Sequence, residues 1–211
     1  MSTMTAAAGM ANPIDTAGDR YSFDTYTVHR KLFQVFGAAF TIRDPMGNVA
    51  FYSKQKAFKL KEDIRLYTDD SMQTEALTIQ ARHIIDFGAA YDVVDPLANQ
   101  KVGAFKRKGL KSMFKDEWVI MDHEDHEIGL IKEDNTMLAM LRRAIELAAL
   151  VFPQKYHLEL DGQAACRLSQ NFNPFIPKIA LDFTLDTQSR LDKRLGIAAA
   201  VLLCAIEGKQ R

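Results

Sequence analysis

Three features of this chain have the residue types and spacing to do chemistry. The first is the run Asp122-His123-Glu124-Asp125-His126-Glu127, where imidazoles and carboxylates alternate closely. Such groups bind zinc or harder divalent ions, which makes His123, Asp125 and His126 candidate ligands. Neighbouring side chains on a hairpin turn diverge, however, and no second cluster elsewhere completes a shell, so the run reads as a solvated turn and no metal is expected. The second is Lys106-Arg107-Lys108-Gly109-Leu110-Lys111, with four positive charges in six residues. Lys106, Arg107, Lys108 and Lys111 could hold the phosphate groups of a lipid head or a polyanion. Lys54, Lys56, Lys59 and Lys61 form a looser basic group, partly on alternate positions of a strand. The plain alternative for both is an edge kept soluble by lysines. The third feature is the pair Cys166 and Cys204, which sit in apolar surroundings and form no motif. They read as buried thiols of a reducing compartment.

Catalysis finds no footing in the sequence. No serine or cysteine lies in a Gly-x-Ser-x-Gly elbow, and no glycine-rich phosphate loop precedes a helix. No catalytic residue and no cofactor are therefore expected, and the chain is read as a non-enzyme. The 27 basic and 27 acidic residues cancel. With no aromatics interleaved among the lysines of the basic runs, nucleic acid is not expected as a partner. The first twenty residues lack both a basic leader and an apolar core, and are expected to form a flexible tail rather than a signal peptide. The cytoplasm, with peripheral contact to a membrane, is the expected location.

The elements that would position these residues are mostly short strands. Phe40 and Ile42, then Val49 and Phe51, flank the turn Asp44-Pro45-Met46-Gly47-Asn48. Further strands are expected at 58–60, 64–67 and 76–79. Two more hairpins follow, 91–96 returning through 102–105 and 118–122 returning through 128–131. All three hairpins place an aromatic residue four positions before a turn aspartate: Phe40 and Asp44, Tyr91 and Asp95, Trp118 and Asp122. Aspartates so placed bind nearby backbone N–H groups and are expected to be structural. Later strands are expected at 156–160, 164–169 and 179–185. Asn135 can cap a helix over 136–151, which Pro153 stops; it is expected to pack outside the strands or across one end.

The run 195–206, LGIAAAVLLCAI, has no polar face and must be enclosed. At ~1.5 Å per residue it spans about 18 Å, short of the ~30 Å apolar core of a bilayer. A closed antiparallel β-barrel wrapped around a helix at 191–207 is the simplest solution, with 25–208 as one domain.

The ordered stretches FTIRDPMGN from Phe40, YDVVDP from Tyr91, WVIMD from Trp118 and IALDFTLD from Ile179, followed by RLDKR and the apolar helix, resemble the tubby-like superfamily, specifically its phospholipid scramblase and LURP-one-related branch. The resemblance covers roughly residues 25–208. It implies a barrel of about twelve strands around a central C-terminal helix. The carboxylate-rich calcium segment of scramblases would fall at 169–186, where only Asp182 and Asp186 are acidic. Calcium needs six to eight oxygen ligands, so that site is not carried over. The expectation is a soluble, scramblase-like and tubby-like binding or scaffold module, contacting an anionic phospholipid headgroup or an unidentified protein through its outer surface. The alternative is a membrane-associated scramblase with the terminal helix in the bilayer.

Overall fold

A computed structural model describes residues 19–33, 37–56, 63–82, 90–108, 117–134, 155–171 and 178–207. Twelve strands are present: β1 (Thr25–Phe33), β2 (Gly37–Arg43), β3 (Val49–Lys56), β4 (Asp63–Tyr67), β5 (Glu75–Ala81), β6 (Ala90–Asp95), β7 (Gln100–Arg107), β8 (Trp118–Met121), β9 (Glu127–Glu133), β10 (Lys155–Leu160), β11 (Gln163–Gln170) and β12 (Lys178–Asp182). Each pairs antiparallel with its sequence neighbours, and β1 pairs with β12, so the sheet closes. One helix, α1 (Lys193–Glu207), follows.

Alternation drives the strands. In β6 the pattern of half-buried and buried residues repeats every second position, and β4 and β10 show the same period. The inward residues have little to pack against except α1. Every residue from Leu195 to Ala205 is buried, most of them completely. The helix therefore supplies the barrel with its core, as the unbroken apolar run requires. Close approach is built in with glycine. A Cβ at Gly196 would run into the Phe183 ring, and one at Gly103 would meet the Met121 carbonyl and the Leu195 side chain.

An up-and-down barrel places alternate connections at opposite ends. At the end where α1 begins, all connections are described and short: 44–48, 68–74, 96–99, 122–126, 161–162 and 183–192. Residues 19–24 cross this end. Arg20 donates to the carbonyls of Ala50 (3.0 Å) and Thr68 (2.8 Å), and the Tyr26 hydroxyl donates to the Arg20 carbonyl (2.9 Å).

Two boundaries differ from the sequence expectation. The last strand stops at Asp182 instead of running to 185, because the Asp182 carboxylate accepts both the N–H and the hydroxyl of Thr184 and turns the chain. The helix then starts at Lys193, with Asp192 as its N-cap accepting the Arg194 N–H at 2.9 Å. The helix expected at 136–151 and the strand expected at 58–60 lie outside the described residues.

Candidate functional site

The barrel interior is filled by α1. The three repeated turns are spoken for by their own backbone. Asp44 accepts from the Asn48 N–H at 2.8 Å; Asp95 accepts from Leu97 and Ala98, both at 3.0 Å; Asp122 accepts from Glu124 and His126, both at 2.9 Å. Four residues upstream, on the same strand face, Phe40, Tyr91 and Trp118 are buried in the barrel. The spacing thus encodes one inward aromatic anchor and one turn lock per hairpin.

The metal-ligand run is arranged differently from the set His123, His126 and Asp125. Among the described residues, the group whose ligand atoms converge is Asp122, Glu124 and His126, all within 4.8 Å of one another. His126 Nδ1 lies 3.2 Å from the Asp122 carboxylate and 3.5 Å from that of Glu124. Asp125 leaves the group, because Arg82 and Lys101 draw it away. It pairs with the Arg82 guanidinium and accepts from Lys101 Nζ at 2.7 Å, and these two contacts hold its carboxyl below the usual carboxylate range. Asp92 accepts from Arg82 as well, at 2.6 Å. The turn is an ion-paired lock on the outside of β5–β7. Asp182 and Asp186 are likewise committed to backbone, the latter accepting the Leu191 N–H at 2.7 Å.

The end where α1 begins also holds an open hollow lined by Tyr21, Asp95, Leu97, Ala98, Asp192, Lys193 and Arg194. Its charges answer one another. Arg194 pairs with Asp95 at 2.9 Å and with Asp192 at 2.6 Å, which raises the guanidinium pKa further.

The basic stretch sits at the opposite end, on the exit of β7. Strand alternation divides it. Lys106 and Lys108 are exposed, while Arg107 pairs in register with the inward Trp118 and lies near enough to Tyr91 to oppose the burial-driven rise of its phenol pKa. Lys108 lies 3.8 Å from Glu117. Lys111 is outside the described residues, as are Lys59 and Lys61 of the looser group; Lys54 is exposed near the same end of β3. The outer face therefore presents Lys106 and Lys108 together, with Arg107 on the other face.

Sequence reasoning missed Arg30. It interrupts the apolar alternation of β1 and points inward, 5% exposed, where Nη1 donates to the Cys204 carbonyl at 2.7 Å. Its guanidinium lies 6.0 Å from the Phe40 ring, and burial lowers its pKa. A cation beside the last turn of a helix meets the negative end of the dipole and one of the carbonyls that lack an intrahelical partner. A lone arginine at an inward position of an otherwise apolar strand was the available signal.

A closed twelve-stranded antiparallel barrel threaded by its own C-terminal helix defines the tubby-like class. The family model described as LURP-one-related matches residues 49–204, so the chain belongs to that family. The match starts at the first residue of β3, leaving β1 and β2 outside it although both close the barrel. No curated protein and no solved structure matches the chain. The alternative that placed the terminal helix in a bilayer finds no support, since that helix is the core of the barrel. No helix among the described residues is long and apolar enough to cross a membrane.

Proposed function

We propose that this chain is a non-enzymatic binding module that works through its outer surface and contacts anionic phospholipid headgroups with the basic exit of β7. The observation that carries this reading is the contrast between used and unused charge. Asp44, Asp95 and Asp122 cap their own backbone, whereas Lys106 is exposed beside Lys108 with an interior already filled by α1. A filled barrel loses the interior pocket that such folds use for substrates. Each lysine or arginine near an anionic surface contributes about 1 kcal/mol, and the effect fades within a Debye length of ~8 Å.

The test is co-sedimentation with phosphatidylcholine vesicles, with and without phosphatidylserine. Wild-type protein should sediment only with the anionic vesicles and release as salt is raised. Replacing Lys106, Arg107, Lys108 and Lys111 with alanine should weaken binding roughly a hundred-fold or more, from about 1 kcal/mol per charge. Equal sedimentation of both proteins, or none with any vesicle, would contradict the reading and favour a protein partner.

A further inference from the structure

Large apolar side chains left in water gather at one end of the barrel. Among the described residues four are exposed: Met46 at 69%, Leu97 at 52%, and Met72 and Leu185 at 39% each. Such residues scattered singly over a surface need no explanation. These four all lie in connections at the end where α1 begins, 44–48, 68–74, 96–99 and 183–192, and every connection of that end is described. Met46, Met72 and Leu97 stand on consecutive connections around the rim. Met72 is held there against local preference. Its φ is +55°, where glycine or asparagine is favoured, and its side chain stays in water. A residue both strained and solvated does nothing for the fold, which points to a use at the surface.

Leu97 also walls the open hollow beside Tyr21 and Ala98, about 560 Å³ in volume. The charges of that hollow are answered from within: Arg194 by Asp95 and Asp192, and Lys193 by Asp24 at 2.9 Å. It offers an aromatic ring and a leucine in place of an unpaired ion, which suits an apolar side chain presented from another surface. The surroundings are acidic. The six connections of this end contain nine carboxylates and a single base, Arg190. Several are committed to backbone or to an ion pair. Exposed Asp70 on one neighbouring connection and exposed Glu124 on the other flank the Leu97 turn. Tilted strands ~4.8 Å apart put successive connections roughly 10–12 Å from one another, which is about two turns of an α-helix. A helix with apolar residues every two turns therefore matches Met46, Met72 and Leu97, and lysine or arginine beside them meets the carboxylates. The flexible thioether of methionine adapts readily to such a contact.

We propose that the end of the barrel where α1 begins is a docking surface for a basic amphipathic helix of a protein partner, with Met46, Met72 and Leu97 as its apolar anchors. It uses different residues from the exit of β7 and stands independently of the headgroup reading.

The experiment titrates the full-length protein against fluorescent peptides and follows anisotropy, with no lipid present. One peptide is made of leucine and lysine in an amphipathic helical pattern. Its two controls replace lysine with glutamate, or leucine with serine. Wild-type protein should bind the leucine–lysine peptide and neither control. Leu97→Ser, at an exposed turn position, should weaken that binding about ten-fold, the effect of losing one buried leucine contact. Met72→Asn should weaken it several-fold while raising the thermal midpoint, because asparagine tolerates a positive φ. A methionine kept for the fold alone would give the reverse, a lower midpoint with unchanged binding. Lys106→Ala, on β7, should leave peptide binding as it is. Equal binding by wild type and both turn variants, binding of either control peptide, or no binding of any peptide would overturn the proposal.

Discussion

At the end of the barrel where α1 begins, polar side chains are closed on one another. Asp44, Asp95 and Asp122 lock hairpins, Asp192 caps the helix, and Arg194 ties that cap to Asp95. At the end where α1 stops, the helix is finished by one buried side chain, Arg30 on the Cys204 carbonyl, and among the described residues the exposed charge around it is basic. The first end is where the polar chemistry holds the fold together. At the second end, among the described residues, Lys54, Lys106, Lys108 and Lys155 are exposed. The two share one requirement, the apolar helix between them.

The sharpest way to break the comparison is to attack that shared element. Ala199 is fully buried, and Ala199→Asp places an unpaired charge in the core. The cost of several kcal/mol rivals a total stability of ~5–15 kcal/mol, so the variant should not accumulate as folded protein. Normal expression with a normal unfolding transition would show that the helix does not need the barrel. The next largest effect is expected at the basic end. Arg30→Ala removes a charge-assisted hydrogen bond and a packed stem, and should lower stability by about 2–3 kcal/mol in a urea titration. No change in the midpoint would mean the helix end is satisfied otherwise.

Smaller effects separate locked turns from unlocked ones. Asp95→Ala loses two N–H contacts and the Arg194 pair, and should cost about 1–3 kcal/mol. Asp161→Asn should be nearly silent: Asp161 is exposed with φ +49°, a conformation asparagine also tolerates. Equal losses at the two positions would contradict the view that buried turn aspartates carry the stability of this end.

The smallest expected effect is a pH dependence from His29. Its pKa is lowered by partial burial, with Lys178 and Arg43 adding repulsion. The native state gives up the proton that the unfolded chain keeps, so this site's contribution is present above the ordinary value of ~6.5. It is lost as pH falls from there through the lower folded value. The thermal midpoint should drop between about pH 7.5 and 5.5, and His29→Gln should flatten part of that drop. An unchanged slope in the variant would remove His29 from the account.

Much of this was legible in the sequence, for identifiable reasons. A helix apolar on every side has few places to go, so 195–206 led directly to an enclosing barrel. The repeat of aromatic and aspartate four apart marked three hairpins because that spacing carries both an inward anchor and a turn lock. The end of β12 was not legible: Phe183 and Leu185 continue the alternation, and only the Asp182 contact with Thr184 shows that the chain has already turned. Arg30 escaped because its partner is a backbone carbonyl 174 positions away. Charge density marked Lys106, Arg107 and Lys108 as one group, yet alternation puts Arg107 on the opposite face. The divergence of Asp125 from His126 depends on Arg82, which no spacing rule connects to that turn.

The central claim is that the two ends differ in purpose, and matched charge changes test it most directly. One variant reverses four exposed lysines towards the end where α1 stops, with Lys54→Glu, Lys106→Glu, Lys108→Glu and Lys155→Glu. The other neutralises the acidic end with Asp70→Asn, Glu124→Gln and Asp161→Asn, all at exposed positions. Both are compared with wild type for sedimentation on phosphatidylserine-containing vesicles at low and physiological salt. The account predicts that the first variant stays in the supernatant while the second sediments at least as well as wild type. Loss of sedimentation in both, or in the acidic-end variant alone, would contradict it.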